Sequence, residues 1–285
     1  MISRSTKSGK NGTQKRSGGS WDFRRWLLTL LALGLCTPFI WMLLTSLKPY
    51  DELADEAWIP SSLEWSNYPE VFQVIDFATF YWNSILVAAW VTFFQVITSS
   101  MAAFSFSRLK WPGRDKVFFL YLSTMMLPGL VTMIPNYQIM ITFGLVDTLV
   151  GLVLPASFTA FGTFLLRQFM LSIPASLDEA AEIDGASKWQ LFWEVILPLS
   201  RPGLITLTIF TFMGTYTNFF WPLVMLRSVE NYTLPIGMMF FDSTRGQATH
   251  LLMAAVTMAV IPMIVVFLFL QRYFIRGLFA GGVKG

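Results

Sequence analysis

The chain has 285 residues, of which 54% are hydrophobic and only 13% charged, with a mean hydropathy of +0.56. A water-dissolved domain carries about 25% charged residues, so this is read as an integral membrane protein with no room for a large soluble domain. The single cysteine, Cys36, excludes an intrachain disulfide, the lone His250 argues against a histidine-based metal site, and the net charge of +3 informs only once divided among the loops.

Residues 1–25 open the chain as a basic tail. Residues 1–20 hold almost nothing apolar, so the tail is expected to be disordered, and no cleavable signal sequence follows it. Six apolar runs come next, at 26–47, 84–106, 117–143, 149–166, 203–226 and 251–270, none containing Asp, Glu, Lys, Arg or His. A bilayer takes about 20 apolar residues to cross, so six transmembrane helices are predicted. Pro128, Gly129 and Pro135 should break the third, and Pro155 and Gly162 the fourth; such breaks are tolerated where backbone lines a cavity or packs on other helices.

Seventeen of the 20 Lys and Arg residues fall in the tails and in the two loops that six crossings place on one side; only Lys48, Arg227 and Arg245 fall on the other. By the positive-inside tendency both termini are cytoplasmic. The outer loop 48–80 is acidic and rich in Trp and Tyr. It reads either as a solvated loop or as a segment resting at the interface.

Residues 172–203 form a polar cytoplasmic loop between the fourth and fifth spans. Ser176 with Glu179, and Ser187 with Gln190, fit capping boxes. Gly185 between them suits a left-handed helix end, and Pro198 and Pro202 are read as closing the second helix. Leu177, Ala180, Ala181 and Asp184 fall on one helical face. Trp189, Phe192 and Trp193 are expected at the surface of the second helix. The loop is acidic, whereas a helix drawn to anionic lipid is usually Lys/Arg-rich. A docking element for a second protein is therefore preferred over an interfacial helix pair.

Glu179-Ala180-Ala181, Gly185, and Val195-Ile196-Leu197-Pro198 are similar in identity and spacing to the EAA signature of permease subunits in ABC importers. Residues 46–49, Asn83-Ser84, 181–187, 271–277 and 281–285 resemble the carbohydrate class, and within it the MalG type of the maltose systems. The resemblance covers residues 26–285. It implies an all-α membrane protein with the type I ABC importer permease fold, six transmembrane helices over 26–47 and 81–272, both termini cytoplasmic, in a bacterial inner membrane. It also implies that Glu179, Ala180, Ala181, Asp184, Gly185, Ala186, Leu197 and Pro198 couple to an ATPase. The implied partners are a second homologous permease, a dimeric cytosolic ATPase that binds ATP and Mg, and an extracytoplasmic sugar-binding protein. The tail 273–285 is implied to reach the ATPase through Arg276, Gly277, Gly281, Gly282 and Lys284; its four glycines are expected to prevent a stable helix. One departure stands out: where the family often has Trp-Asn before the Trp-Pro of the fifth span, this chain has Tyr216-Thr217-Asn218 ahead of Trp221-Pro222.

No nucleotide site is visible, since Ser8-Gly9-Lys10-Asn11 lacks the glycine spacing and final hydroxyl of a P-loop. No cofactor, metal or nucleic acid is therefore assigned to this chain, and membrane lipid surrounds it. A secondary carrier would need an ionisable group at membrane depth, and an intramembrane enzyme a nucleophile with its base; neither is present. Asn83, Gln95, Asn136, Gln138, Tyr216 and Asn218 suit a pathway for a hydroxyl-rich sugar, or equally serve as bonds between helices. The absence of cations in the spans argues mildly against a phosphorylated substrate, and a polyol or glycerol-phosphate type remains the alternative.

Overall fold

The computed structural model describes residues 18–54, 57–243 and 248–282, and among them every regular element is helical. Helix α1 (Gly18–Ser46) is apolar all round and packs along α15 (Thr249–Gly282). Gly18 to Arg25, expected in the disordered tail, are helical, because extending an existing helix avoids the nucleation cost; residues 1–17 lie outside the described residues.

After α1 the chain forms a 3-10 turn (Tyr50–Ala54) and α2 (Asn67–Val74). Asn67 Nδ2 donates to the Ser46 and Lys48 carbonyls, both at 3.0 Å, which closes the acidic loop onto the end of α1. Asp76 caps α3 (Phe77–Arg108), which starts seven residues ahead of the apolar run used to find it. With 32 residues and neither glycine nor proline, α3 is the central post of the bundle, packed on α6, α7, α11 and α13.

The spans around α3 are interrupted. Helix α4 (Arg114–Ser123) and its 3-10 extension (Thr124–Met126) turn by 101° at Pro128 into α5 (Gly129–Thr142). Pro135 lies inside α5 without ending it. Helices α6 (Leu149–Ala156) and α7 (Ala160–Leu171) meet at 44°. The break falls at 157–159, not at Pro155 or Gly162, both of which are helical. The freed Ala156 and Ser157 carbonyls accept from Gln95 Nε2 (2.7 Å) and Thr98 Oγ1 (2.8 Å), which makes the break affordable at membrane depth. Gly162 admits α3 closely, since a Cβ there would lie 2.6 Å from Ser99 Oγ.

The chain continues through α8 (Ser176–Ile183), α9 (Lys188–Gln190), a π-helical turn (Leu191–Ile196) and α10 (Leu197–Leu199). It then bends by 74° at Ser200 into α11 (Arg201–Tyr216). The fifth apolar run, read as continuous, breaks at 217–219 before α12 (Phe220–Met225). A 3-10 turn (Val229–Asn231), α13 (Leu234–Gly237) and α14 (Phe240–Ser243) lead to α15. Among the described residues three helices are long and apolar enough to cross a membrane singly, and counting each bent pair as one crossing gives up to six.

Among the described residues three apolar clusters hold the frame, one of them, with Val87, Val91, Met140, Leu152 and Met225, joining α3, α5, α6 and α12. Val71, Phe80, Tyr216, Leu234, Phe241 and Leu251 join α2, α3, α11 and α15 near one end of the bundle. Phe104, Leu166, Met170, Phe192, Ile196 and Leu207 join α3, α7, the π turn and α11 at the other, which seats the α8–α10 segment.

Candidate functional site: a hinged helical segment and a cleft between broken spans

The α8–α10 segment owes its shape to local chemistry. The Gly185 N–H donates to Glu182 O (3.1 Å) and the Ala186 N–H to Ala181 O (2.9 Å), with Gly185 at φ +80°. This paired closure with a left-handed residue is the Schellman end. Two residues on, Ser187 and Gln190 form a reciprocal capping box. Lys188 pairs with Glu182 across the turn, and its hydrogen bond holds the Glu182 carboxyl below its ordinary pKa.

Several expectations are corrected here. Ser176 is not a cap: Ala175 occupies that position, and the Asp178 and Glu179 N–H groups donate to its carbonyl. The helix starts one residue earlier than expected because the backbone of Ala175 is itself already helical. Pro198 does not close the second helix; it sits in the first turn of α10, where its missing N–H costs least. The i→i+5 bonding of the π turn precedes it. Phe192 is only 2% exposed and packs on Phe104, whereas Trp189 and Trp193 stand out as expected.

Of the residues expected to dock an ATPase, Glu179, Ala180, Asp184 and Gly185 are exposed, while Ala181 and Leu197 pack against the apolar cluster beneath; Ala186 and Pro198 are half-buried. The outward face is completed by Ile183, 85% exposed in a polar segment. Its position four residues after Glu179 was the available signal. The C-terminal tail is also corrected: its backbone stays helical through Gly282, so Gly277 and Gly281 do not end α15. A glycine costs about 1 kcal/mol in a helix interior, and a 34-residue helix absorbs that by propagation. Lys284 lies outside the described residues.

Arg108, noticed in the sequence only as a positive charge, anchors the whole segment. Its guanidinium pairs with Asp178 at 2.9 Å and donates to the Ile173 carbonyl at 2.8 Å and to the Met170 carbonyl, with 6% of the side chain exposed. Arg167 of α7 ties the first turn of α4 and the end of α3 together through Asp115 (3.4 Å) and the Phe106 carbonyl (3.1 Å).

The three interrupted spans converge at one open face of the bundle. A cleft of about 460 Å³ is lined by Gly129 and Asn136 of α5, Pro155 and Ala156 at the end of α6, and Asn218 and Trp221 at the α11–α12 break. The Trp221 indole N–H is buried with no partner among the described residues. Asn136 and Asn218, both expected in a pathway, are brought together here. Gln138 is exposed on α5 away from this lining. Asn83 and Tyr216 are fixed elsewhere: Asn83 Nδ2 donates to the Glu230 and Tyr232 carbonyls (2.9 and 3.0 Å), and Tyr216 donates to the Ala259 carbonyl (3.0 Å). These two bond helices and loops together and do not line the cleft.

At the end opposite α8, Asp147 forms an unforeseen clasp. It adopts φ +61°, and its Oδ1 accepts from the Arg227 and Ser228 N–H groups (2.9 and 3.0 Å). The Ser228 hydroxyl donates to Oδ2, and Asn231 Nδ2 to the Asp147 carbonyl (2.7 Å). The Ser228 hydroxyl first, and then the two backbone N–H groups, hold the Asp147 carboxyl far below the usual carboxylate range.

Broken membrane helices around an open cleft, with a hinged, outward-facing helical segment at one end, are the architecture of a membrane permease. Residues 95–280 match the family described as the binding-protein-dependent transport system inner membrane component, and the chain belongs to that family. It is 34% identical over 269 residues to the arabinooligosaccharide transport permease AraQ of Halalkalibacterium halodurans, covering 91% of this chain and 96% of that one. It is 35% identical over 199 residues to the sn-glycerol-3-phosphate permease UgpE of Brucella abortus, covering 69% and 71%. The crystal structure of a bacterial ABC transporter that imports alginate matches with a TM-score of 0.78 at 26% identity, over 92% of this chain and 99% of that one. The chain is thus a permease subunit of an ABC importer, not an enzyme.

Proposed function

We propose that this permease forms half of the translocation path for an oligosaccharide and that α8–α10 seats it on a cytosolic ATPase dimer, which binds ATP and Mg. The observation that carries the docking role is the outward row Glu179, Ala180 and Ile183 on a helix closed by Gly185, an exposed apolar side chain beside an exposed carboxylate. In this reading both termini lie in the cytoplasm with α8, and α15 carries Arg276 and the tail glycines toward the ATPase pair. A second permease covers the cleft, and an extracytoplasmic binding protein delivers substrate to the end bearing Asp147.

The cleft favours a neutral sugar. Its lining pairs the amides of Asn136 and Asn218 with Trp221 and Phe220 and includes no Lys or Arg, whereas a phosphate is ordinarily met by cationic donors. The relatives are named for arabinooligosaccharides and for glycerol phosphate, and the uncharged lining favours the first class.

The test is uptake into proteoliposomes holding the complete transporter and its binding protein, with arabinooligosaccharides and sn-glycerol-3-phosphate offered in parallel. Oligosaccharide uptake that falls at least tenfold in Asn218→Ala supports the reading; uptake of the phosphate alone overturns the substrate class. For the docking role, Ala180→Cys should cross-link to the ATPase, and failure to do so in an assembled complex overturns it.

A further inference from the structure

The α8 segment can do work on the cleft only if its displacement reaches the far end of the bundle, and α3 is built to carry it. The third, fourth and fifth spans are each interrupted, but α3 is continuous for 32 residues, about 48 Å at ~1.5 Å per residue. Side-chain bonds fix it to other elements at three levels. At the α8 end Arg108 grips Asp178 and the Met170 and Ile173 carbonyls. Midway, Gln95 joins the break in the fourth span at Ala156 O to Thr211 of α11, both at 2.7 Å. At the opposite end Asn83 holds the Glu230 and Tyr232 carbonyls, and Ser84 Oγ accepts from the Leu234 N–H at 2.8 Å.

From this geometry we infer that Arg108 is a positioning residue of the transport cycle: it locks α8 to α3, so that movement of α8 is passed along α3 to the 229–234 loop at the opposite end. The planar guanidinium spans a carboxylate and two carbonyls at once, which an ammonium on a flexible stem does less well. The Arg108 side chain is buried and Asp178 half-buried; Arg108 pairs with Asp178 Oδ2, and Asp178 Oδ1 has no hydrogen-bond partner among the described residues. Losing Arg108 therefore removes the side-chain bond between α8 and α3 without a replacement, leaving only the apolar contact through Ala181, Phe192 and Phe104. The inference rests on the docking role proposed for α8.

The experiment uses the complete transporter in proteoliposomes, with Cys36→Ser and Glu230→Cys carrying an environment-sensitive fluorophore and AMP-PNP as the probe. In this background AMP-PNP should shift the fluorescence at position 230. Arg108→Gln should reduce that shift at least tenfold while ATPase binding and the KM for ATP hydrolysis stay unchanged, and Arg108→Lys should restore part of it. If Arg108→Gln fails to assemble, Asp178→Asn, which keeps the shape of the α8 start, takes its place with the same expectation. A full AMP-PNP shift in Arg108→Gln or in Asp178→Asn overturns the role given to Arg108. A background protein that binds ATPase yet shows no shift overturns the relay along α3. Absence of ATPase binding in that background defeats the docking proposal instead.

Discussion

Gly185 offers the sharpest test of the hinge. Its φ of +80° lies in the left-handed region, and a Cβ built there meets nothing within 4 Å. Steric exclusion by neighbours therefore contributes nothing, and the full penalty of a substitution is conformational. An L-residue held in that region costs about 1–2 kcal/mol, or roughly a 5- to 30-fold loss in the population of the bent segment. Alanine should sit in that range. Asparagine, which tolerates the left-handed region, should sit well below it, and β-branched valine above it. The penalty falls on the Gly185–Glu182 and Ala186–Ala181 bonds and on the Glu182–Lys188 pair that crosses the turn. The buried members of the apolar clusters that hold the bundle are not themselves altered. We expect substrate-stimulated ATPase activity in proteoliposomes to fall in the order Gly185→Asn, Gly185→Ala, Gly185→Val, with the last abolishing transport, while the Tm of the purified subunit moves little. Wild-type transport by Gly185→Val, or equal losses in all three variants, would refute the hinge.

Three other outcomes are expected. Glu179 caps nothing, since Ala175 starts α8, so Glu179→Gln and Glu179→Ala should lose ATPase coupling equally; full activity in the glutamine variant would remove the ion pair with the ATPase that this implies. A Cβ at Gly237 would lie 2.2 Å from the buried ring of Phe80, so Gly237→Ala should destabilise by about 1–3 kcal/mol, seen as a lower Tm, and an unchanged Tm would show that the contact yields freely. Asp147 has a depressed folded pKa, so its stabilisation is complete above the ordinary carboxylate pKa of about 4 and is lost only as pH falls below it. The Tm difference between wild type and Asp147→Asn should accordingly stay flat from pH 8 to pH 5, and a difference that fades within that interval contradicts the clasp.

What the sequence determined by itself is whatever depends on near neighbours or on the bilayer. Apolar runs long enough to cross it had to become spans, because an unpaired backbone is too costly in hydrocarbon. The box at Ser187 and Gln190 and the left-handed Gly185 follow from bonds closed within a few residues. Only the tertiary structure decided the rest. The fourth-span break falls at 157–159 because Gln95 and Thr98, some 60 residues earlier in the chain, receive the freed carbonyls. Asn83 and Tyr216 became braces away from the cleft because their partners lie at Glu230, Tyr232 and Ala259. Asn136 and Asn218, alike in type, reached the cleft because the 101° bend at Pro128 and the break at 217–219 bring their backbones there. Arg108 read as one more loop cation until Asp178 closed on it from α8. A polar side chain in a membrane must find a partner, and which one it finds is set by helix packing, which local periodicity does not encode.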